Sequence, residues 1–197
     1  MKKIFFTVAL SILTLFAVAT KPHTDHIKVD TKTSTIKWIG SKIAESHEGT
    51  INIQKGVLDI NHGVLVGGQI SIDMSTITNT DMEGRRKQRL EWHLKNEDFF
   101  NVASFPFAVI TISNAKRGEG NTYNIIADLT IKNIRHSISF VANVDIKGLD
   151  YLATAKIKID RTKWDIKYNS GNFFKDLGDK LILDEVEFDI SLKSEKP

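Results

Sequence analysis

Cysteine is missing from all 197 residues, which excludes disulfides, thiolate metal sites and a cysteine nucleophile. It also excludes a lipoprotein signal, whose anchor is attached to cysteine. A basic excess is nearly missing too. The formal charge is +3, and Lys2 and Lys3 carry two of those charges in a segment expected to be removed, which leaves +1. Recognition of nucleic acid needs a basic face of some size, and this balance does not supply one. Neither a Gly-x-Ser-x-Gly elbow nor a glycine-rich phosphate loop occurs, so nucleophilic catalysis and nucleotide chemistry lack their usual supports. No His-x-x-x-His pair occurs either; His47, His62, His93 and His136 stand on separate segments, where structural or exposed roles are commoner than metal ligation. No metal and no cofactor is expected.

One apolar run is present, and it is short. Lys2 and Lys3 precede a stretch from Ile4 to Val18, which closes on Ala17-Val18-Ala19 before Lys21 and Pro22. A charged start, an apolar middle and small residues at the end define a cleavable signal peptide over residues 1–19, and the run is too short to span a bilayer. The expected location is periplasmic or secreted, without a lipid anchor. Residues 20–34 are polar and lack periodicity, so the expectation there is a loosely attached leader ahead of one domain over 35–193.

From Ile36 onward the main signal is alternation, which places successive side chains on opposite faces of a strand. Val64, Val66, Gly68, Ile70, Ile72 and Met74 share one parity. The same pattern runs through Tyr123, Ile125, Ala127, Leu129 and Ile131; through Ile138, Phe140, Ala142, Val144 and Ile146; through Ala153, Ala155, Ile157 and Ile159; and through Val186, Phe188, Ile190 and Leu192. Each strand thus has a wet face and a dry face, which is the mark of antiparallel sheets. Polar turns such as Asn61-His62-Gly63 and Lys147-Gly148-Leu149-Asp150 join the strands as hairpins. Leu90 and Leu94 stand at helical spacing among crowded charges, which predicts one amphipathic helix over about 82–95, capped by Asp81. A Gly- and Asn-rich stretch from Asn169 to Asp179 reads as a loop anchored by Phe173 and Phe174.

One helix cannot cover the dry face of about eight strands, so the sheet must close on itself. The fold class is therefore all-β, a lipocalin-like antiparallel barrel with a capping helix. A barrel of about eight strands is either filled by its own side chains or holds one slim ligand. Small residues at inward parity, including Gly68, Ala127, Ala142, Ala153 and Ala155, favour an open interior.

The stretch His93-Leu94-Lys95-Asn96-Glu97-Asp98-Phe99-Phe100, followed by Phe105-Pro106, resembles the hallmark of the YceI-like polyisoprenoid-binding family. Further segments agree in order: Ile36-Lys37-Trp38-Ile39-Gly40, Ser46-His47-Glu48-Gly49-Thr50, Ile70-Ser71-Ile72-Asp73-Met74, Asp128-Leu129-Thr130-Ile131-Lys132, and Tyr168 through Ser170-Gly171-Asn172-Phe173-Phe174 to Asp184-Glu185. Asn133 departs from the pattern, standing where many relatives carry glycine. The resemblance covers roughly residues 35–192 and implies an exported barrel that binds an isoprenoid or similar lipid in its interior, not an enzyme.

Ligand contacts are expected from the inward-facing Trp38, Leu129, Phe140, Ile157 and Phe188, and from Phe99, Phe100, Trp164, Phe173 and Phe174 about the barrel mouth. Aromatics there, with Trp92, Phe105, Phe107 and Tyr168, form either a plug or a gated apolar entrance. His93 would meet a ligand head group or its own loop backbone. Arg161 would neutralise a head group at the rim, or pair with Asp160 or Asp165. The basic cluster Arg85-Arg86-Lys87 with Arg89 reads as a solvated helix face, and transient membrane contact is a further expectation. The partner is thus an isoprenoid, quinone or fatty-acyl lipid, held by a carrier or sequestering protein. Two other readings stay open: an enzyme acting on a lipid through His93, and a filled barrel with no ligand.

Overall fold

A computed structural model describes residues 23–196; the expected signal peptide lies outside the described residues. Nine strands follow in the order β1 (Thr24–Lys28), β2 (Thr35–Lys42), β3 (Ser46–Asn61), β4 (Val64–Asn79), β5 (Phe107–Arg117), β6 (Thr122–Ile131), β7 (Ile134–Lys147), β8 (Asp150–Asp160) and β9 (Ile182–Lys193). Among the described residues a single α-helix, α1 (Gly84–Lys95), stands between β4 and β5. All pairings are antiparallel. The circuit β2-β9-β8-β7-β6-β5-β4-β3 closes when β3 pairs with β2, giving an eight-stranded barrel.

The ninth strand completes one of those eight positions. β1 pairs with Val57–Asn61 of β3, and β2 pairs with Ser46–Ile51 of the same strand. The two therefore run end to end, and β1 lies between β3 and the tail of β9, where Val29 bridges Ser194 and the Asp30 backbone N–H donates to the Lys193 carbonyl at 2.8 Å. This corrects the expected leader: the polar run hides Ile27 and Val29, both buried, which is too short a pattern to show periodicity. Gly56 makes the join possible, because a Cβ there would lie 2.6 Å from a Val29 methyl.

A second correction concerns β4. Register shifts between Asp59 and Ile60 opposite Gly67, and such a bulge turns every later side chain over. Leu65 is buried and Val66 is exposed on one side of it, while Ile70 and Met74 point inward on the other. The single parity read from Val64 to Met74 therefore holds only beyond Gly68.

The ladder between β7 and β8 is incomplete. Pairing runs from Lys147–Asp150 to Ala142–Ala155 and stops there. Continued in register it would join Val141 to Lys156 and Ser137 to Asp160, but the strands diverge and leave a slot in the barrel wall. Beyond the slot β7 is tied to the 3-10 turn that follows β8, where His136 Nε2 lies 2.9 Å from the Lys163 carbonyl.

Candidate functional site

Alternating strand direction sorts the connections into two ends. Tight turns at His62–Gly63, 118–121 and Gly148–Leu149 close one end. The other end carries the β2–β3 turn, α1 with its flanks, the Lys132–Asn133 turn and the long β8–β9 connection. Lys132 and Asn133 both have positive φ, 50° and 60°, a primed two-residue hairpin turn that asparagine tolerates without glycine.

Inside the barrel is a cavity of about 210 Å³, open toward the α1 end. The wall is apolar apart from Ser41, Lys42, His47, Thr154 and Arg161. Inward residues of β5, β7 and β9, such as Ile110, Ile138, Phe140 and Phe188, are only partly buried. A filled core would bury them fully. Ala142, Ala153 and Ala155 line the space, so the small residues keep it free, whereas Ala127 faces inward but is fully buried and does not reach the cavity.

Trp38 forms part of the wall, and its indole N–H donates to the Thr78 carbonyl at 3.2 Å. Gly49 lies beneath it, where an added Cβ would sit 1.8 Å from that same carbonyl oxygen and 2.6 Å from the indole. Leu129, Phe140, Ile157 and Phe188 line the interior, as do Phe99 and Phe100 from the segment after α1 and Leu90 and Leu94 from the helix itself.

His93, Trp164, Phe173 and Phe174 are not part of the wall. His93 sits behind it, its ring 5.1 Å from Phe99 and 4.4 Å from Tyr168 in edge contacts. Its Nε2 is buried without a hydrogen-bond partner among the described residues, and burial pushes the imidazole below its ordinary value, with Asp98 opposing and Arg89 adding to the shift. A neutral ring packed on aromatics is a structural element. Trp164 is buried and donates its indole N–H to the Leu129 carbonyl at 3.1 Å, fixing the β8–β9 connection to β6, with its ring edge-on to His136 of β7. Phe173 and Phe174 are about half exposed, so the expected anchor of that loop is absent; Phe173 instead lies under Lys167.

Arg161 lines the cavity and is only 2% exposed, its charge taken up by the protein. The guanidinium donates to the carbonyls of Ile166, Ile182 and Leu183 at 2.6, 3.0 and 3.1 Å. Its ion partner is Asp184, at 3.3 Å, and not Asp160 or Asp165. Asp184 also accepts from Ser170 and Asn172, while Asp160 caps the following turn through Thr162. Only an arginine fork reaches so many acceptors at once, and the signal that could have revealed it is the block of carbonyl-rich loop that must be held without secondary structure.

At the mouth, His47 Nδ1 lies 2.9 Å from Asp81 Oδ2. Burial works to raise the Asp81 carboxyl, but donation from His47, the Glu48 N–H and Asn79 outweighs it and holds the group below its ordinary value. Asp81 is therefore a tie between β3 and the end of β4, not the helix cap. The cap position belongs to Glu83, whose side chain makes no capping bond. Glu91 accepts from Thr78 and from the Asn79 N–H, which fastens α1 across the barrel end. Among the described residues no group of three metal-ligating side chains occurs.

An eight-stranded antiparallel barrel with an apolar cavity open at one end belongs to the class of lipocalin-like barrels. The family model for the YceI-like domain matches residues 27–194, and the chain belongs to that family. Several solved structures share the fold. BcnA of Burkholderia cenocepacia is 19% identical, with a TM-score of 0.68 over 85% of this chain and 99% of its own. A polyisoprenoid binding domain from Saccharophagus degradans implicated in plant cell wall breakdown is 16% identical, with a TM-score of 0.63 over 90% of this chain and all of its own. The Campylobacter jejuni YCEI protein is 14% identical, with a TM-score of 0.54 over the full length of both chains. Among curated proteins no sequence matches.

Proposed function

We propose that this chain is an exported binding protein that holds one long, slim apolar lipid, such as an isoprenoid, a quinone or a fatty-acyl chain, in its barrel as a carrier or sequestering protein. The observation that carries the reading is the cavity itself, apolar on nearly every side and kept open by alanines. Burying a methylene contributes about 0.8 kcal/mol, so a chain of many methylenes binds tightly without a specific polar contact. The volume of about 210 Å³ lies below the range usual for drug-sized ligands, so the part of a long chain that does not fit would extend through the mouth. The polyisoprenoid binding domain among the similar structures supports the isoprenoid class. Export rests on the signal-like residues 1–19.

An enzyme working through His93 is less well supported, because His93 stands behind the wall. Titration of delipidated mature protein with a fluorescent polyene fatty acid tests the binding reading. A saturable signal at one probe per barrel, displaced by a polyprenol and retained in a His93→Phe variant, is expected. Absence of saturable binding would contradict a ligand cavity, and loss of binding with His93 alone would restore that residue to the site.

A further inference from the structure

We propose that the α1 end of the barrel docks on an anionic lipid bilayer, with Trp92 entering the interface and Arg85, Arg86 and Arg89 meeting the head groups. The proposal rests on the carrier reading, because it names the surface from which the cavity would be loaded.

The two faces of α1 carry it. Leu90 and Leu94 point into the cavity wall. Arg85, Arg89 and Trp92 are exposed and follow one another at spacings of four and three residues, so they form one stripe along the helix. The helix sequence contains five cations, Arg85, Arg86, Lys87, Arg89 and Lys95, against the single anion Glu91. That anion is turned away and bound to β4. A basic face bearing an exposed tryptophan has the chemistry of an interfacial helix: the cations attract anionic head groups, and the indole prefers the boundary between water and hydrocarbon.

The rest of this end agrees. Ile43 is 67% exposed, Trp92 66%, Phe173 52% and Phe174 49%, and all four belong to connections at the open end. At the opposite end, among the described residues, Leu149 is 56% exposed in its turn, and Val66 and Leu152 beside the turns are each 44% exposed. Counter-charges are present: Glu83 precedes the helix, Glu97 and Asp98 follow it, and Glu45 is held by Lys42. They limit the attraction, so the docking is reversible and sensitive to salt. The helix that covers the cavity would then lie directly on the membrane.

The chain supplies its own probe. Of its three tryptophans, Trp38 and Trp164 are buried, so a change in emission caused by a surface event reports Trp92. The test is cosedimentation and tryptophan emission of the full mature protein with phosphatidylcholine vesicles, with and without phosphatidylglycerol. Expected is binding to the anionic vesicles only, reversed by salt, with a blue shift that Trp92→Phe removes. The variant Arg85→Glu/Arg86→Glu/Arg89→Glu should bind at least about tenfold more weakly while keeping the wild-type circular dichroism spectrum. No sedimentation with either vesicle, equal binding to both, or undiminished binding by the triple variant would overturn the proposal. The carrier reading is judged separately, since an empty wild-type barrel would contradict it whatever the vesicles show.

Discussion

Arg161 has lost nearly all contact with water and received four acceptors in exchange, three carbonyls and the Asp184 carboxylate. Burial pulls its guanidinium below the ordinary value, and Asp184 and Asp160 oppose that pull. The site is stable only as a whole, because removing the cation would strand a partly buried carboxylate and several carbonyls. Arg161→Ala is expected to lower unfolding free energy by about 3 kcal/mol in urea melts. Arg161→Lys should recover only a minor part, because an ammonium cannot span the acceptors. A melt unchanged by the alanine substitution would contradict this role. Arg161 stood out in the sequence, but its partner was not identifiable locally, since Arg161 and Asp184 are separated by the whole irregular connection. The aromatic and aliphatic wall residues were far easier to place, because parity fixes which face of a strand they occupy. Trp38, Leu129, Phe140, Ile157 and Phe188 all stand on the cavity wall. Parity has nothing to say about loops, and there the expected wall positions of Trp164, Phe173 and Phe174 were not found.

Strand pairing was legible where hairpins are short and alternation is unbroken, as from Tyr123 to Ala142. It was not legible at bulges, for a bulge adds one residue without altering composition, and so the phase of Val64 and Val66 was misread. The helix was visible in Leu90 and Leu94, but its start lies at Gly84, two residues beyond the expected boundary. Least visible was the slot between β7 and β8, since both strands alternate without fault on each side of it. Unpaired backbone amides exchange with solvent much faster than ladder amides. Hydrogen exchange should therefore show weak protection on the β8-facing amides of residues 137–141 and on the β7-facing amides of 156–160, with strong protection across the β6–β7 and β8–β9 ladders. Uniform protection around the barrel would mean that the slot closes in solution. Lys156 and Lys158 lie outward beside it, held by Asp189 and by Glu185 and Glu187, and edge lysines of this kind discourage pairing with a foreign strand.

At the scale of the whole molecule, the barrel divides its labour between two ends. One is sealed by tight polar turns, and β1 completes the wall beside them. The other holds the irregular connections, the aromatic cluster of His93, Phe99 and Tyr168, and the open mouth. Rigid ladders preserve the cavity while the covering helix depends on a few polar ties, chiefly Glu91 to Thr78 and Asn79. Such an arrangement suits a ligand that must enter and leave a container that stays folded. The class of the molecule was legible because closure follows from strand count and patterning. The width of its interior was not, because small residues serve barrel corners as well as cavities.

The most direct test is native mass spectrometry of the mature protein, purified without detergent from an exporting host, beside an Ala142→Phe/Ala153→Phe variant that fills the cavity. Overpacking costs about 1–3 kcal/mol per site, so folding of the variant is checked by circular dichroism. The account predicts a stoichiometric long-chain lipid on the wild type, identified after organic extraction, and none on the folded variant. An empty wild-type barrel, or equal lipid on both proteins, would contradict the claim that this cavity is the ligand site.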